Sequence, residues 1–401
     1  MENSQENISV NKYSLADLRV VLLADEEALR SYGPVLRRLA VGLMDEVGDL
    51  SMLYFGTSSF LKYVPCPPVR LITEIHGYWE NPLQADSLER KISIPAPRFT
   101  IIDKLRPHRH IQRLTQALKP IKPTLLHALT EKQVGLTRNL SNELGIPYVV
   151  SLLTSGNVRL NVAEKYCSQI LPWNSSLARQ IRKNHPNVAS RIHLLPMGTH
   201  VSTETSCFAT ENGKAKIFCS SPFRKENGLN TLIQAVKKLS DQGLHAYLLL
   251  SGQGPAERDL RRQVNQLELS GWVHFIPPIE TIVSGSDAYK TVLSEMDIFV
   301  QPWPLHFWRP ELLEAISAGN AVVVADDGQE NDLVIHEKTA LLFPHHNQNL
   351  LTKILAELLT NHNYARDLAQ NSQDYLRKHF LASKMVSHLA QAYHRALENF
   401  S

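Results

Sequence analysis

The chain of 401 residues is 43% hydrophobic and 20% charged, with a formal net charge of +3 and a pI near 8.5. That length exceeds what one hydrophobic core usually supports, so two domains are expected, and so mild a charge gives no reason to expect a nucleic-acid partner. No window approaches roughly 18 uninterrupted apolar residues, which argues against a helical membrane span. Cys66, Cys167, Cys207 and Cys219 lack C-x-x-C spacing, which points to packing roles in a reducing compartment and to no metal site.

Residues 1–16 are polar and read as a disordered tail, without the apolar run of a signal peptide. An alternating α/β pattern begins at residue 17. LRVVLLAD (18–25) has the apolar run of a buried strand, and Gly33 with Pro34 opens an amphipathic helix carrying Leu36, Leu39, Ala40 and Leu43 on one face. LSMLYFG (50–56) and VRLITEIHG (69–77) read as further strands. TLLHALT (124–130), a helix to about residue 144 and GIPYVVSLLTS (145–155) add strand, helix and strand, and SQILPWN and HLLPMG close this half, so that residues 17–201 form the first domain. Helices between strands imply right-handed crossovers and a mostly parallel sheet.

The polar segment 202–213 is the expected linker. The alternation restarts with AKIFCSS, a helix around LNTLIQAVKKLSDQG, the strand AYLLLSG, a turn and helix in GQGPAERDLRRQVNQLEL, and WVHFIPP. Residues 214–383 are expected to form the second domain, and the helix 384–401 to pack back on the first. Two α/β halves facing each other leave a cleft for a ligand.

The stretch 297–344 reads as strand 298–301, loop, short helix 310–318, strand 321–325, polar loop and a strand near 340–343. Pro310 suits the first helical position, Glu311 the positive first turn and Gly319 the helix end. A helix starting after a parallel strand turns unpaired N–H groups to the carboxyl edge of the sheet, where phosphates bind well.

FRKENGLNTLIQAVKKL, LLLSGQGPAERDLRRQVNQLELSGWVHFIPP, EMDIFVQPW and LLEAISAGNAVVVADDGQENDLVIHEKTALLFP follow one another within 217–393. In that order they resemble the nucleotide-sugar-binding domain of the GT-B glycosyltransferases of family 4, the retaining glycosyltransferase group 1. LRVVLLAD, KPTLLHALTEKQ, ELGIPYVVSL and HLLPMGTHV resemble the other half of that family more loosely. The resemblance implies an α/β GT-B fold, two Rossmann-like domains with parallel sheets facing a central cleft. It also implies a nucleotide diphosphate sugar as donor, with no obligatory cofactor and no metal.

In the family, the helix after the loop carries a Glu-x7-Glu pattern whose second acid holds the donor ribose. Here His306 takes the first position and Glu314 the second, and one carboxylate can accept two ribose O–H groups. Glu314 is otherwise a solvated helix residue, and His306 either binds a sugar hydroxyl or decorates a loop. The family's Arg and Lys ahead of the helix glycine neutralise a departing diphosphate. Before Gly228 those positions fall on Pro222 and Asn227, and the basic side chains are displaced to Arg224 and Lys225, which either substitute through an altered loop or form a solvated turn. Pro310 and Glu311, at the helix start, remain as the weaker phosphate anchor.

Gly252 and Gly254 either let a donor approach the backbone or make a plain tight turn. Pro277, in FIPP, matches the segment lining the nucleobase or is an ordinary strand end. Asp327, Gly328 and Glu330 would lie beside the sugar or face solvent. On the acceptor side, Gly33 is what remains of a glycine-rich loop, and Thr154 lies near the strand end where the family often has a catalytic-type His. His127 and His76 are each either catalytic-type or buried and structural.

Between residues 98 and 122, Arg98, Lys104, Arg106, Arg109, Arg113, Lys119 and Lys122 oppose a single acid, Asp103. Such a face would rest on anionic lipid, or is a solvated basic helix. The resulting expectation is a cytoplasmic hexosyltransferase, at the inner face of the membrane if the basic segment meets lipid, acting on a glycan or lipid-linked acceptor. The departures at Pro222, Asn227 and His306 keep open a catalytically silent GT-B protein that serves as sugar- or nucleotide-binding partner of an active glycosyltransferase.

Overall fold

The computed structural model describes residues 14–56, 60–61, 64–65, 69–75, 89–92, 108–153, 160, 165–209, 213–279, 288–304, 310–326, 328 and 331–400. The N-terminal elements are β1 (Arg19–Asp25), α1 (Glu26–Met44), β2 (Asp49–Phe55), the short β3 (Phe60–Leu61) and β4 (Val64–Pro65), β5 (Val69–Ile72) and β6 (Glu89–Ile92). They continue with α2 (His108–Leu118), β7 (Leu125–Ala128), α3 (Val134–Leu144), β8 (Tyr148–Leu152), β9 (Cys167–Pro172) and α4 (Ser175–Asn184). Seven of these strands form one sheet in the order β6-β5-β2-β1-β7-β8-β9.

From β2 to β9 the pairing is parallel, but β5 runs antiparallel to β2 and β6 antiparallel to β5. The sheet is thus mostly parallel, as expected, with an antiparallel edge. The short β3–β4 ladder lies between β2 and β5, whereas a parallel return needs a long crossover, usually a helix. β6 is ERKI, a charged edge strand with no apolar alternation to announce it.

The first helix also begins elsewhere than Gly33 and Pro34. Asp25 is its N-cap, accepting the Ala28 N–H at 2.7 Å, and Glu26 and Glu27 fill the positive first turn. Pro34 is carried inside the helix, because the cap and the buried face of Val35, Leu36, Leu39, Ala40 and Leu43 outweigh one missing N–H donor.

The C-terminal half holds β10 (Ala215–Ser220), α5 (Leu229–Asp241), β11 (Ala246–Ser251), α6 (Glu257–Gln266), β12 (Val273–Ile276), α7 (Ala288–Leu293) and β13 (Ile298–Pro304). Then come α8 (Pro310–Ala318), β14 (Ala321–Asp326), β15 (Leu341–Pro344), α9 (Gln348–Thr360), α10 (His362–His379) and α11 (Ala382–Glu398). The sheet is parallel throughout, in the order β12-β11-β10-β13-β14-β15. The chain reverses direction across the sheet between β10 and β13, the crevice where such sheets bind ligands.

The segment expected as the linker runs against the second domain. Ser202 N–H donates to Ser317 O and Cys207 N–H to Gly319 O, each at 3.0 Å, and Cys207 and Phe208 are buried in the second core. Gly319 permits this close passage: its φ is +83°, and a Cβ there would lie 2.6 Å from Thr205 Cα. After α10, the chain returns to the first domain. The Leu381–Ala382 backbone pairs with Thr199, and α11 packs on α1, β8 and β9. Gly42 of α1 faces Val386 so closely that a Cβ would meet its side chain at 2.4 Å. One apolar cluster runs without interruption from Leu22 and Leu39 of the first domain to Leu312, Ile316 and Phe299 of the second.

Candidate active site

α8 starts at the switch point between β10 and β13, with Pro310 as its first residue and Glu311 in the first turn. All nine of its residues are buried. Its neighbours explain this: α1, α7 and α10 enclose it, so this helix is the wedge between the domains.

Two loops lie beside it at the carboxyl edge. After β10, Asn227 Nδ2 donates to Pro222 O at 2.7 Å and to Ser221 Oγ at 3.0 Å. The two positions that depart from the family's basic pair therefore bond to each other, and a neutral amide closes the loop. Arg224 lies on its exposed rim, 3.8 Å from Glu226, with Lys225 exposed beside it.

After β11, Gly252 and Gly254 press against this first loop. A Cβ on Gly252 would lie 1.9 Å from Ser221 O, and one on Gly254 2.5 Å from Phe223 O. Phe223 N–H donates to Gln253 O at 2.9 Å. These glycines serve a loop-to-loop contact. Pro277 O accepts the Ser251 hydroxyl at 3.1 Å, and Gly328 N–H donates to Asp326 Oδ1 at 2.9 Å with φ +75°.

Glu314 faces the N-terminal domain. Its carboxylate forms an ion pair with Arg38 of α1, and Thr199 Oγ1 lies 3.4 Å from each of its oxygens. The Arg38 and Glu314 side chains are only 12% and 9% exposed, and Arg38 Nε also donates to Gly198 O at 3.2 Å. A second bridge joins the domains where Asp332 accepts both the N–H (2.6 Å) and the hydroxyl of Ser175, at the start of α4. Arg38, Thr199, Ser175 and Asp332 carry no motif that would single them out in the sequence. Their roles come from partners far away in the chain.

Residues 206–375 match the family of glycosyl transferases group 1. The match lies within the C-terminal half. The uncharacterized glycosyltransferase YqgM of Bacillus subtilis (strain 168) is 22% identical over 209 residues, 52% of this chain and 57% of that protein, so the match spans little more than half of the relative's length. A glycosyltransferase from Rickettsia africae ESF-5 has a TM-score of 0.69 at 10% identity, covering 95% of this chain and 99% of its own. Anabaena Alr3699/HepE, in complex with UDP and glucose, has a TM-score of 0.67 at 16% identity, covering 94% of this chain and 99% of its own. These likenesses extend over both halves, and the fold is GT-B.

In the N-terminal half, His127 is remote from any accessible surface. It is fully buried, with Nδ1 2.7 Å from Tyr393 Oη of α11 and Nε2 2.8 Å from Ser151 Oγ of β8. Burial pushes its pKa down to about 3 and that of Tyr393 well above its ordinary value. The imidazole links the returning helix to the sheet. Gly33 lies within α1 and has no atom within 4 Å of where a Cβ would be, so no glycine-rich acceptor loop forms there.

His76, Thr154, His306, Asp327 and Glu330 lie outside the described residues, as do residues 98–107 of the basic segment. Among the described residues, no group of three His, Cys, Asp or Glu side chains could hold a metal ion, and no helix is long and apolar enough to cross a membrane. Cys167, Cys207 and Cys219 are free and buried; burial raises the thiol pKa of Cys167 and Cys207 to about 12 and that of Cys219 further.

Proposed function

We propose that the chain transfers a sugar from a nucleotide diphosphate sugar to an acceptor hydroxyl, with retention, in glycan or glycoconjugate assembly. The observation that supports this most directly is a buried helix start at the switch point of a sheet that matches the group 1 glycosyl transferases. In this reading the first-turn N–H groups of α8 face the donor diphosphate, with Arg224 and Lys225 closing from the loop rim. Glu314 receives the ribose hydroxyls after Arg38 gives way. The transition state has oxocarbenium character, and the protein contributes positioning and diphosphate stabilisation, with no covalent nucleophile and no obligatory metal. Because HepE is a neighbour in complex with UDP and glucose, UDP is the first nucleotide to try.

A second reading rests on the loop after β10. A neutral Asn227–Pro222 contact where a basic pair would stand favours a protein that keeps the fold and binds sugar or nucleotide as partner of an active glycosyltransferase. Calorimetry with UDP, GDP, ADP and their sugars, followed by product analysis with mixed glycan acceptors, separates the two. Binding with transfer supports the enzyme, binding without transfer supports the partner, and no binding to any nucleotide defeats both. Unchanged UDP affinity in Glu314→Ala would remove Glu314 from the donor site.

The basic segment 98–122 is placed, in the same proposal, on the inner face of a membrane. Vesicles with anionic lipid should retain the chain and release it when Arg106, Arg109 and Arg113 become Glu. Equal retention of both proteins would defeat that placement.

A further inference from the structure

A cavity of about 440 Å³ opens at the β9 side of the N-terminal sheet, between the first residues of β9 and the last turn of α11. It lies toward the amino ends of the strands, whereas the candidate donor site lies at the carboxyl edge of the other sheet. Lys165, Arg191 and Arg395 bring three fixed positive charges to its wall, beside His193. The one lining acid, Glu398, is engaged by His394 Nδ1 at 3.2 Å. Arg191 Nη1 is held by Cys167 O at 2.8 Å, which fixes its guanidinium at the wall. Burial first, then Arg395 and Arg182, lower the His193 pKa.

Cations gathered in a concave wall repel one another and focus a positive field into the space between them. The inner wall adds a separate feature: Gln169 is 1% exposed, and its Oε1 has no hydrogen-bond partner. Buried acceptors left unpaired are costly and uncommon. A fully deprotonated anion cannot satisfy this oxygen, because it brings no donor. A ligand hydroxyl can.

We propose that this cavity binds a small anion that also carries hydroxyl groups, of the sugar-phosphate class, at a site separate from the donor cleft. Lys165, Arg191 and Arg395 hold the phosphate, and Gln169 accepts a sugar hydroxyl. The proposal is independent of whether the cleft performs transfer.

Calorimetry on the full chain with glucose 1-phosphate, inorganic phosphate and glucose tests it. Glucose 1-phosphate should bind, phosphate more weakly and glucose not measurably. Lys165 and Arg395 are exposed, so the double variant Lys165→Gln, Arg395→Gln should fold normally and raise the glucose 1-phosphate Kd at least tenfold, with nucleotide binding unchanged. Gln169→Met should weaken glucose 1-phosphate several-fold and leave phosphate alone. No heat with glucose 1-phosphate, or an unchanged Kd in the double variant, overturns the site. Equal affinity for phosphate and glucose 1-phosphate, insensitive to Gln169→Met, overturns the ligand class.

Discussion

His127 stands inside the first domain with both ring nitrogens occupied, one by Tyr393 and one by Ser151. Its folded pKa of about 3 lies below the ordinary 6.5. Below pH 6.5 the unfolded chain takes up a proton that the folded chain refuses, so the stability His127 contributes is full above that pH and lost as pH falls toward 3. One such group gives a slope of about 1.4 kcal/mol per pH unit. His127→Gln should therefore flatten the pH dependence of the urea midpoint below pH 6.5 by about one proton, and an unchanged slope would mean that the imidazole already charges in the fold. Tyr393→Phe should cost about 1–3 kcal/mol, since it leaves a buried ring nitrogen without its partner. The sequence places His127 at a strand end, where catalytic and structural histidines look alike.

The loop after β10 and the turn after β11 form one unit. Gly252 and Gly254 fit because they have no Cβ, and Asn227 closes the neighbouring turn on Pro222. Gly252→Ala should destabilise the C-terminal domain by roughly 1–3 kcal/mol through overpacking against Ser221 O, read as a lowered Tm. An unchanged Tm would show that the loop yields freely. Local chemistry made much of this domain legible. Pro310, Glu311 and Gly319 mark α8 to the residue, and β-branched runs mark β13 and β14 closely. It failed at α1, where the proline and glycine suggested a start that the Asp25 cap overrides. It also failed at β6, whose charged residues look like loop until β5 pairs with them.

Across the whole molecule, the domains meet through Arg38–Glu314, Ser175–Asp332, a shared apolar cluster and the return of α11. Removing one member of a buried ion pair typically costs roughly 3–5 kcal/mol, because the other charge is left unpaired. Arg38→Ala and Glu314→Ala should each show a loss of that order, and the double variant much less than their sum. Additive losses would mean that the pair is not coupled in solution. If ribose displaces Arg38 in the proposed function, Arg38→Ala should also tighten UDP binding relative to the parent chain at equal foldedness. Weaker binding would assign Arg38 to the donor site itself.

The sequence alone determined the two α/β halves, the strand–helix order of the second half and the group 1 resemblance, because periodicity, caps and turn residues act over a few neighbours. The tertiary structure decided the antiparallel edge, the strapped linker and the partners of His127 and Glu314. Those depend on contacts such as Arg38 with Glu314 and His127 with Tyr393, whose members lie hundreds of residues apart. No local pattern encodes a meeting at that distance; the packing of the whole chain creates it.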